Sequence, residues 1–295
     1  MSSRCSVCAI IVTYNRVDKL KYTMQRYLET SVWKILVIDN ASTDLTSSYL
    51  SEVESNVPDR VEVLRLNENC GGAGGFHYGL AYAKKYLDCD WLVLSDDDSY
   101  PAKDVFCRFT GVDGPYPGES QIVAARVLFP TGEPCPMNRP MEVPNFSLIA
   151  KNFLLWRSLL ASDDSLGAAE SRRPVLASSF VGMFIPLKAL RITEVMPARE
   201  YFLYWDDISF GLDMRSAGVG TLFCPDLVFY HDCPRRPGKM SGMRFYYYVR
   251  NGFRTIQLMP AVIRYPAYCL KAVTWLLQAV RQGSIRSYMR ALRDV

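Results

Sequence analysis

Four apolar runs of strand length recur at a nearly even spacing near the start of the chain: CAIIVTY (Cys8–Tyr14), KILVID (Lys34–Asp39), VEVLRL (Val61–Leu66) and DWLVLS (Asp90–Ser95). Stretches with helical character separate them. Val17–Glu29 sets Leu20, Met24, Tyr27 and Leu28 on one side. A helix from about Leu45 follows NASTD, with Ser42, Thr43 or Asp44 as its N-cap, and Gly75–Tyr86 reads as a third. Strand and helix at this beat mean βαβ units on a parallel sheet buried on both faces. The expected fold class is therefore α/β, with helices flanking a mostly parallel sheet. Ligands of such sheets sit beyond the carboxyl ends of the strands.

Those four ends carry Thr13-Tyr14-Asn15-Arg16, Asp39-Asn40, the stretch Asn67 to Gly75, and Asp96-Asp97-Asp98. Three adjacent carboxylates repel one another unless a cation neutralises them. Mg2+ and Mn2+ take one or two carboxylates plus substrate phosphates. Asp96 and Asp98, two residues apart, point to the same side, and Asp97 points away. A solvated acidic turn fits the same letters. The run GGAGG (Gly71–Gly75) allows close approach to a ligand or a tight turn. It is not a dinucleotide fingerprint, which follows the first strand and spells G-x-G-x-x-G. Further on, Trp205 precedes Asp206 and Asp207 at a helix start, where the dipole favours an anion that could act as a general base. Trp205 offers a flat face to a sugar ring, and an ordinary N-cap pair is the alternative. VFYHD holds His231, one of only two histidines, the other being His77. A neutral imidazole is a metal ligand, although a single histidine after a strand is often structural.

A fifth strand is expected at Gln121–Phe129, and Pro130–Pro174 reads as an insertion or lid-like loop region with an apolar patch at Phe153–Leu160. SFVGMFIP (Ser179–Pro186) regains strand character. Asp206–Ala217 reads as a helix closed by Gly218, followed by a short strand at Gly220–Pro225 with Leu227–His231 as its continuation. From Met243 the chain is helical, with breaks at Pro260 and Pro266. From Arg235 to Val295 there are twelve Lys/Arg and one acid, a net +11, so a total of +4 leaves −7 on the first 234 residues. The expected division is an α/β domain, residues 1–234, and a basic helical segment, 235–295. Its most apolar part, Tyr265–Val280, contains Lys271 and is too short to span a bilayer. It suits a helix on an anionic membrane surface, or an ordinary packing helix with a basic face. Nine scattered cysteines suit a reducing compartment, no signal peptide is visible in Met1–Cys8, and no nucleic-acid recognition motif is present.

TYNR with DNASTD, the DDD triplet, WDD and the later His231, in this order, resemble the inverting family 2 glycosyltransferases, which have a GT-A fold. The string RLNENCGGAGGFHYGL before DWLVLSDDD, together with YYYVRN (Tyr246–Asn251), is most similar to bacterial galactofuranosyltransferases. The resemblance implies a UDP-galactofuranose donor, a lipid-linked cell-surface glycan as acceptor, and a place at the inner face of the cytoplasmic membrane. It implies that Thr13 and Arg16 contact the nucleotide, Asp39 the uracil or ribose, and that Asn69, Gly71 and Gly72 border it. Asp96 and Asp98 would hold Mn2+ or Mg2+ and the diphosphate, His231 would complete the metal shell, and Asp96 and Asp97 would belong to the nucleotide-sugar pocket. Asp207 would be the base, Asp206 would orient the acceptor or nearby backbone, and Trp205 would line the acceptor side. Polymerising members carry an extra N-terminal domain, so addition of one or a few residues is expected. A dTDP-rhamnose-dependent relative, or a non-catalytic nucleotide-sugar or lipid-head-group binder, is the alternative.

Overall fold

The computed structural model describes residues 5–111, 120–143, 171–235, 238, 240 and 242–295. The elements run β1 (Val7–Thr13), α1 (Val17–Leu28), β2 (Lys34–Asp39), α2 (Thr46–Asn56), β3 (Val61–Arg65), α3 (Gly71–Tyr86), β4 (Trp91–Asp96), β5 (Ser99–Pro101), α4 (Val105–Thr110) and β6 (Gln121–Leu128). Then come β7 (Met141–Glu142), β8 (Arg173–Ala177), β9 (Met183–Pro186), α5 (Leu187–Thr193), α6 (Asp206–Ser216), β10 (Gly220–His231), α7 (Gly242–Leu258), α8 (Ala261–Gln282) and α9 (Ile285–Arg293).

The strands form one sheet in the order β3-β2-β1-β4-β9-β6-β10-β8-β7, with β5 added against β10. β3, β2, β1 and β4 are parallel, as are β6 and β10, whereas β9 is antiparallel to both β4 and β6. The sheet is thus mixed but mostly parallel. Thr13, Asp39, Asp96 and His231 end β1, β2, β4 and β10 and collect on one rim. One sheet face carries a core of Leu20, Met24, Tyr27, Phe106 and Phe109 from α1 and α4. The other carries Phe76, Leu80, Leu190 and Phe210 from α3, α5 and α6.

Several local expectations shift. The third helix starts at Gly71 rather than Gly75, so the glycines form its first turns instead of a loop. Helix–strand distance is the reason: a Cβ on Gly75 would lie 2.4 Å from Val12 Cγ1 on β1. Gly71 has φ +71°, and a Cβ there would lie 2.1 Å from the Phe202 carbonyl oxygen. The stretch Ser179–Pro186 yields a strand only from Met183; Gly182, at φ +70°, turns the chain into it. The strand at Gly220–Pro225 and its expected continuation are one strand, β10, with a register irregularity between Cys224 and Val228. That is where a residue lacking an N–H can be accommodated. Pro266 lies inside α8 and does not end it; being near the N-terminus it forgoes one backbone bond only. The ends of the Pro130–Pro174 region supply β7 and β8, and Phe153–Leu160 falls outside the described residues.

The basic segment comprises α7–α9. Phe245, Val249, Phe253 and Ile256 of α7 share a buried cluster with Leu212 of α6, Ala177 of β8 and Ala73 of α3. α7 is therefore packed into the body that carries the rim.

Candidate active site

The acidic triplet meets His231 through β5. Directly after the aspartates, Ser99–Pro101 pairs antiparallel with Phe229–His231, which sets Ser99 opposite His231. The Asp232 N–H donates to the Asp98 carbonyl at 2.8 Å, and His231 Nε2 lies 3.2 Å from Asp98 Oδ1. Asp96, Asp98 and His231 each offer a ligand atom, all within 4.8 Å of one another. Asp97 turns the other way, accepting from the Thr13 hydroxyl at 2.9 Å and pairing with Arg16 Nη1 at 2.9 Å. Arg16 Nη2 reaches Asp98 Oδ2 at 2.7 Å, so one guanidinium spans two carboxylates.

Burial and the charge of Asp98 push the Asp96 carboxyl up to about 6. Burial likewise pushes Asp97 up to about 7, against the opposing pull of Arg16. Burial opposes ionisation of Asp98 too, yet His231 and Arg16 together hold it below the usual carboxylate range. Burial disfavours a charged His231, but Asp98, with Cys135 and Cys233 beside the ring, pushes it up to about 12. The ring therefore carries a proton that a metal would displace. Two carboxylates and an imidazole on this spacing fit a divalent ion such as Mn2+ or Mg2+. The far side of the ring is also held. His231 Nδ1 lies 2.7 Å from Asn138 Oδ1, and Asn138 Nδ2 donates to Ser179 Oγ at 3.0 Å. Donation from Nδ1 to Asn138 leaves Nε2 facing the aspartates.

Asp206 and Asp207 open α6 after a backbone in unusual conformations. Phe202, Tyr204 and Trp205 have φ of 62°, 67° and 68°, the left-handed region, at a cost of about 1–3 kcal/mol each. Asn251 of α7 offsets it: its side-chain amide, fully buried, donates to the carbonyls of Tyr201 at 2.8 Å, Leu203 at 2.7 Å and Tyr204 at 3.1 Å. Arg250 adds a bond to the Glu200 carbonyl. At the helix start, burial and the charge of Asp207 push the Asp206 carboxyl far up. Burial also pushes Asp207 up to about 7, with the charge of Asp96 adding to it and the Ile208 N–H working against it. Asp207 keeps part of its surface open to solvent, whereas Asp206 is buried.

The Glycosyl transferase family 2 model matches residues 8–111, from β1 past the acidic triplet. Galactofuranosyltransferase GlfT1 of Mycobacterium tuberculosis (strain ATCC 25618 / H37Rv) is 26% identical over 267 residues, covering 84% of this chain and 81% of that protein. Residues 8–111 carry a glycosyl transferase family 2 domain, and the chain is a glycosyltransferase similar to galactofuranosyltransferases. Solved structures share its GT-A-like fold. S. aureus TarS 1–349 in complex with UDP-GlcNAc superposes with a TM-score of 0.63 at 12% identity, over 98% of this chain and 80% of that one. The mannosyltransferase PcManGT from Pyrobaculum calidifontis, in complex with GDP-Man and Mn2+, gives 0.59 at 17% identity, over 99% and 80%.

In this glycosyltransferase some expected contacts move inward. Trp205 does not present an open face. Its left-handed backbone turns the indole into the core, against Tyr248 and Trp275 with centroids 5.9 Å and 6.2 Å away. Thr13 and Asp39 are each 1% exposed, and Asp97 is 4% exposed. Thr13 and Asp97 bond each other, and Asp39 accepts from the Ser42 N–H at 2.9 Å and from the Ser47 hydroxyl. These three, expected at the nucleotide-sugar pocket, have their polar atoms engaged within the protein, where they hold Arg16 and the loop after β2. Arg16 itself is 44% exposed and presents its charge to the rim. Asn69 accepts from the Gly71 N–H at 2.9 Å and from Asn40 at 3.1 Å. Asn40 also bonds the Gly71 carbonyl at 2.9 Å and the Cys70 N–H at 2.9 Å, fixing the entry to α3 beside Gly71 and Gly72. Asn40, Asn138 and Asn251 were not singled out as site residues from the sequence. Asn40 follows a rim strand and Asn251 stands in YYYVRN, so both had a signal; Asn138, in a region read as loop, had none.

Proposed function

We propose that this enzyme transfers galactofuranose from UDP-galactofuranose to a hydroxyl of a lipid-linked cell-surface glycan, with inversion at the anomeric carbon. The observation that carries the reading is the meeting of two arrangements at one rim. The Asp96, Asp98 and His231 donor set lies close enough to the start of α6 that the charge of Asp96 bears on Asp207. The galactofuranosyltransferase relative supports the donor.

Asp96, Asp98 and His231 would hold Mn2+ or Mg2+, which when bound neutralises charge developing on the leaving diphosphate. Arg16, the exposed cation of the rim, would take a phosphate oxygen. Asp207 would accept the acceptor's hydroxyl proton as that oxygen attacks from the face opposite the diphosphate. Asp206, buried and with its carboxyl pushed far up, would support the helix start rather than the proton transfer. The α7–α9 segment would rest on an anionic membrane surface at the inner face of the cytoplasmic membrane, where a lipid-linked acceptor lies.

Incubation with UDP-galactofuranose, Mn2+ and a synthetic galactoside acceptor should release UDP and extend the acceptor, and chelation should stop it. Turnover with dTDP-rhamnose and none with UDP-galactofuranose would overturn the donor assignment.

A further inference from the structure

Cys135 and Cys233 are distant in sequence and neither figures in the transfer reaction. Cys135 follows the tight return after β6, where its N–H donates to the Val127 carbonyl at 3.1 Å. Cys233 lies two residues beyond β10. Parallel pairing of β6 with β10 brings the two together, with Sγ atoms 3.7 Å apart. Both sulfurs and a ring nitrogen of His231 lie within 4.8 Å of one another. Cys135 is 1% exposed and His231 5%, while Cys233 keeps an open side.

Bonded sulfurs stand at about 2.05 Å, far inside this separation. Two thiolates held about 2.3 Å from one tetrahedral ion stand about 3.75 Å apart. Sulfurs in plain packing contact come equally close, so the spacing alone decides nothing. The third corner adds what packing lacks: the buried imidazole that Asp98 and Asn138 hold in place stands beside both sulfurs and completes a set of three converging donors. We propose that Cys135, His231 and Cys233 form a second metal site, selective for a soft divalent ion such as Zn2+. Thiolate and imidazole ligands select for such ions, whereas carboxylates suit Mg2+ and Mn2+. Three protein ligands leave a fourth position for water. On binding, the two thiols lose their protons to solvent and the sulfurs become the ligands. His231 thus belongs to two donor sets, and an ion among the thiols competes for the ring that the rim set also uses. Zn2+ should then weaken Mn2+ binding at the rim.

The test uses the full-length reduced protein titrated with Co2+, whose thiolate complexes absorb by charge transfer. A thiolate-to-cobalt band is expected, bleached by Zn2+ and untouched by Mg2+. Cys135→Ser and Cys233→Ser should each lose it, with Co2+ affinity falling by at least the roughly 10–100-fold seen when a mere outer-shell partner is removed. Asp96→Asn should keep the band, which separates this site from the rim and needs no donor sugar. Folding of each variant is checked by circular dichroism, and the more open Cys233→Ser decides if Cys135→Ser does not fold. Absence of the band in folded wild-type protein overturns the proposal, as does a band that survives Cys233→Ser.

Discussion

Asp207 occupies the second position of α6, where free backbone N–H groups favour an anion, yet burial and the charge of Asp96 lift its carboxyl to about 7. A base must be ionised to take a proton. Below about pH 7 the carboxyl is protonated, so kcat/KM should fall as pH drops through that value, with unit slope. A cation at Asp96 cancels one cause of the lift, so the limb in kcat, measured with donor and metal bound, should lie lower than the limb in kcat/KM. Coincident limbs would show that Asp207 does not sense that charge. Asp207→Asn should lower kcat by roughly 10²–10⁴ while UDP binding, followed by calorimetry, is retained. Asn138 acts through His231. Asn138→Ala should weaken Mn2+ binding by about 10–100-fold, read by calorimetry without donor, with little change in UDP affinity in the absence of metal. At this scale the sequence spoke where chemistry is concentrated: three aspartates at a strand end and two at a helix start are informative by type alone. Asn138 and the inward turn of Trp205 depend on contacts across the fold, and neither leaves a periodic trace.

The element that positions Asp207 is α7, through a single amide. Asn251 satisfies three carbonyls of a segment that carries left-handed residues at Phe202, Tyr204 and Trp205. Asn251→Ala should destabilise the fold by about 2–4 kcal/mol in denaturant unfolding, because buried carbonyls lose their donor. Asn251→Asp should be worse, since it sets a carboxylate against carbonyl oxygens. In whatever folds, kcat should fall more than donor KM rises, because the displaced part is Asp207 rather than the metal donors. A loss confined to stability, with kcat intact, would reduce Asn251 to a scaffold role. The strands and helices around the first sheet edge were legible because burial on both faces enforces continuous apolar runs. β5 was hidden because three residues carry no period, and it is held by pairing with β10 rather than by its own propensity. The early start of α3 was masked because glycine argues locally for a loop; only the approach to Val12 explains glycine in a helix.

At the scale of the molecule, the basic charge and the exposed apolar surface coincide. On α8, Val262, Tyr265, Cys269, Val273, Leu276 and Val280 are exposed at steps of three and four residues, one continuous stripe. Leu277 beside it is 52% exposed, and Ile285 and Met289 of α9 are 47% and 57% exposed. Arg281, Arg286, Arg290 and Arg293 stand exposed on the same two helices. A helix that packs wholly within a protein buries such a stripe, whereas one that rests in a lipid interface leaves it outward and flanks it with cations. Among the described residues no helix is long and apolar enough to cross a membrane, and the proposed attachment through this segment would be lateral. Two forces then contribute and can be separated. Coulombic attraction is screened by salt, so binding to anionic vesicles should weaken as ionic strength rises. Insertion of apolar side chains is not screened, so Leu276→Glu with Leu277→Glu should lower binding further at every salt concentration, by about tenfold or more if each leucine contributes about 1.5–3 kcal/mol. Equal binding to neutral and anionic vesicles would remove the electrostatic half, and a double variant that binds like wild type would remove the insertion half. Because α7 of the same segment holds the Asp207 loop, vesicles carrying the acceptor should raise turnover in wild-type enzyme, whereas the double variant should show the same rate as wild type on a soluble acceptor and lose only the gain from vesicles.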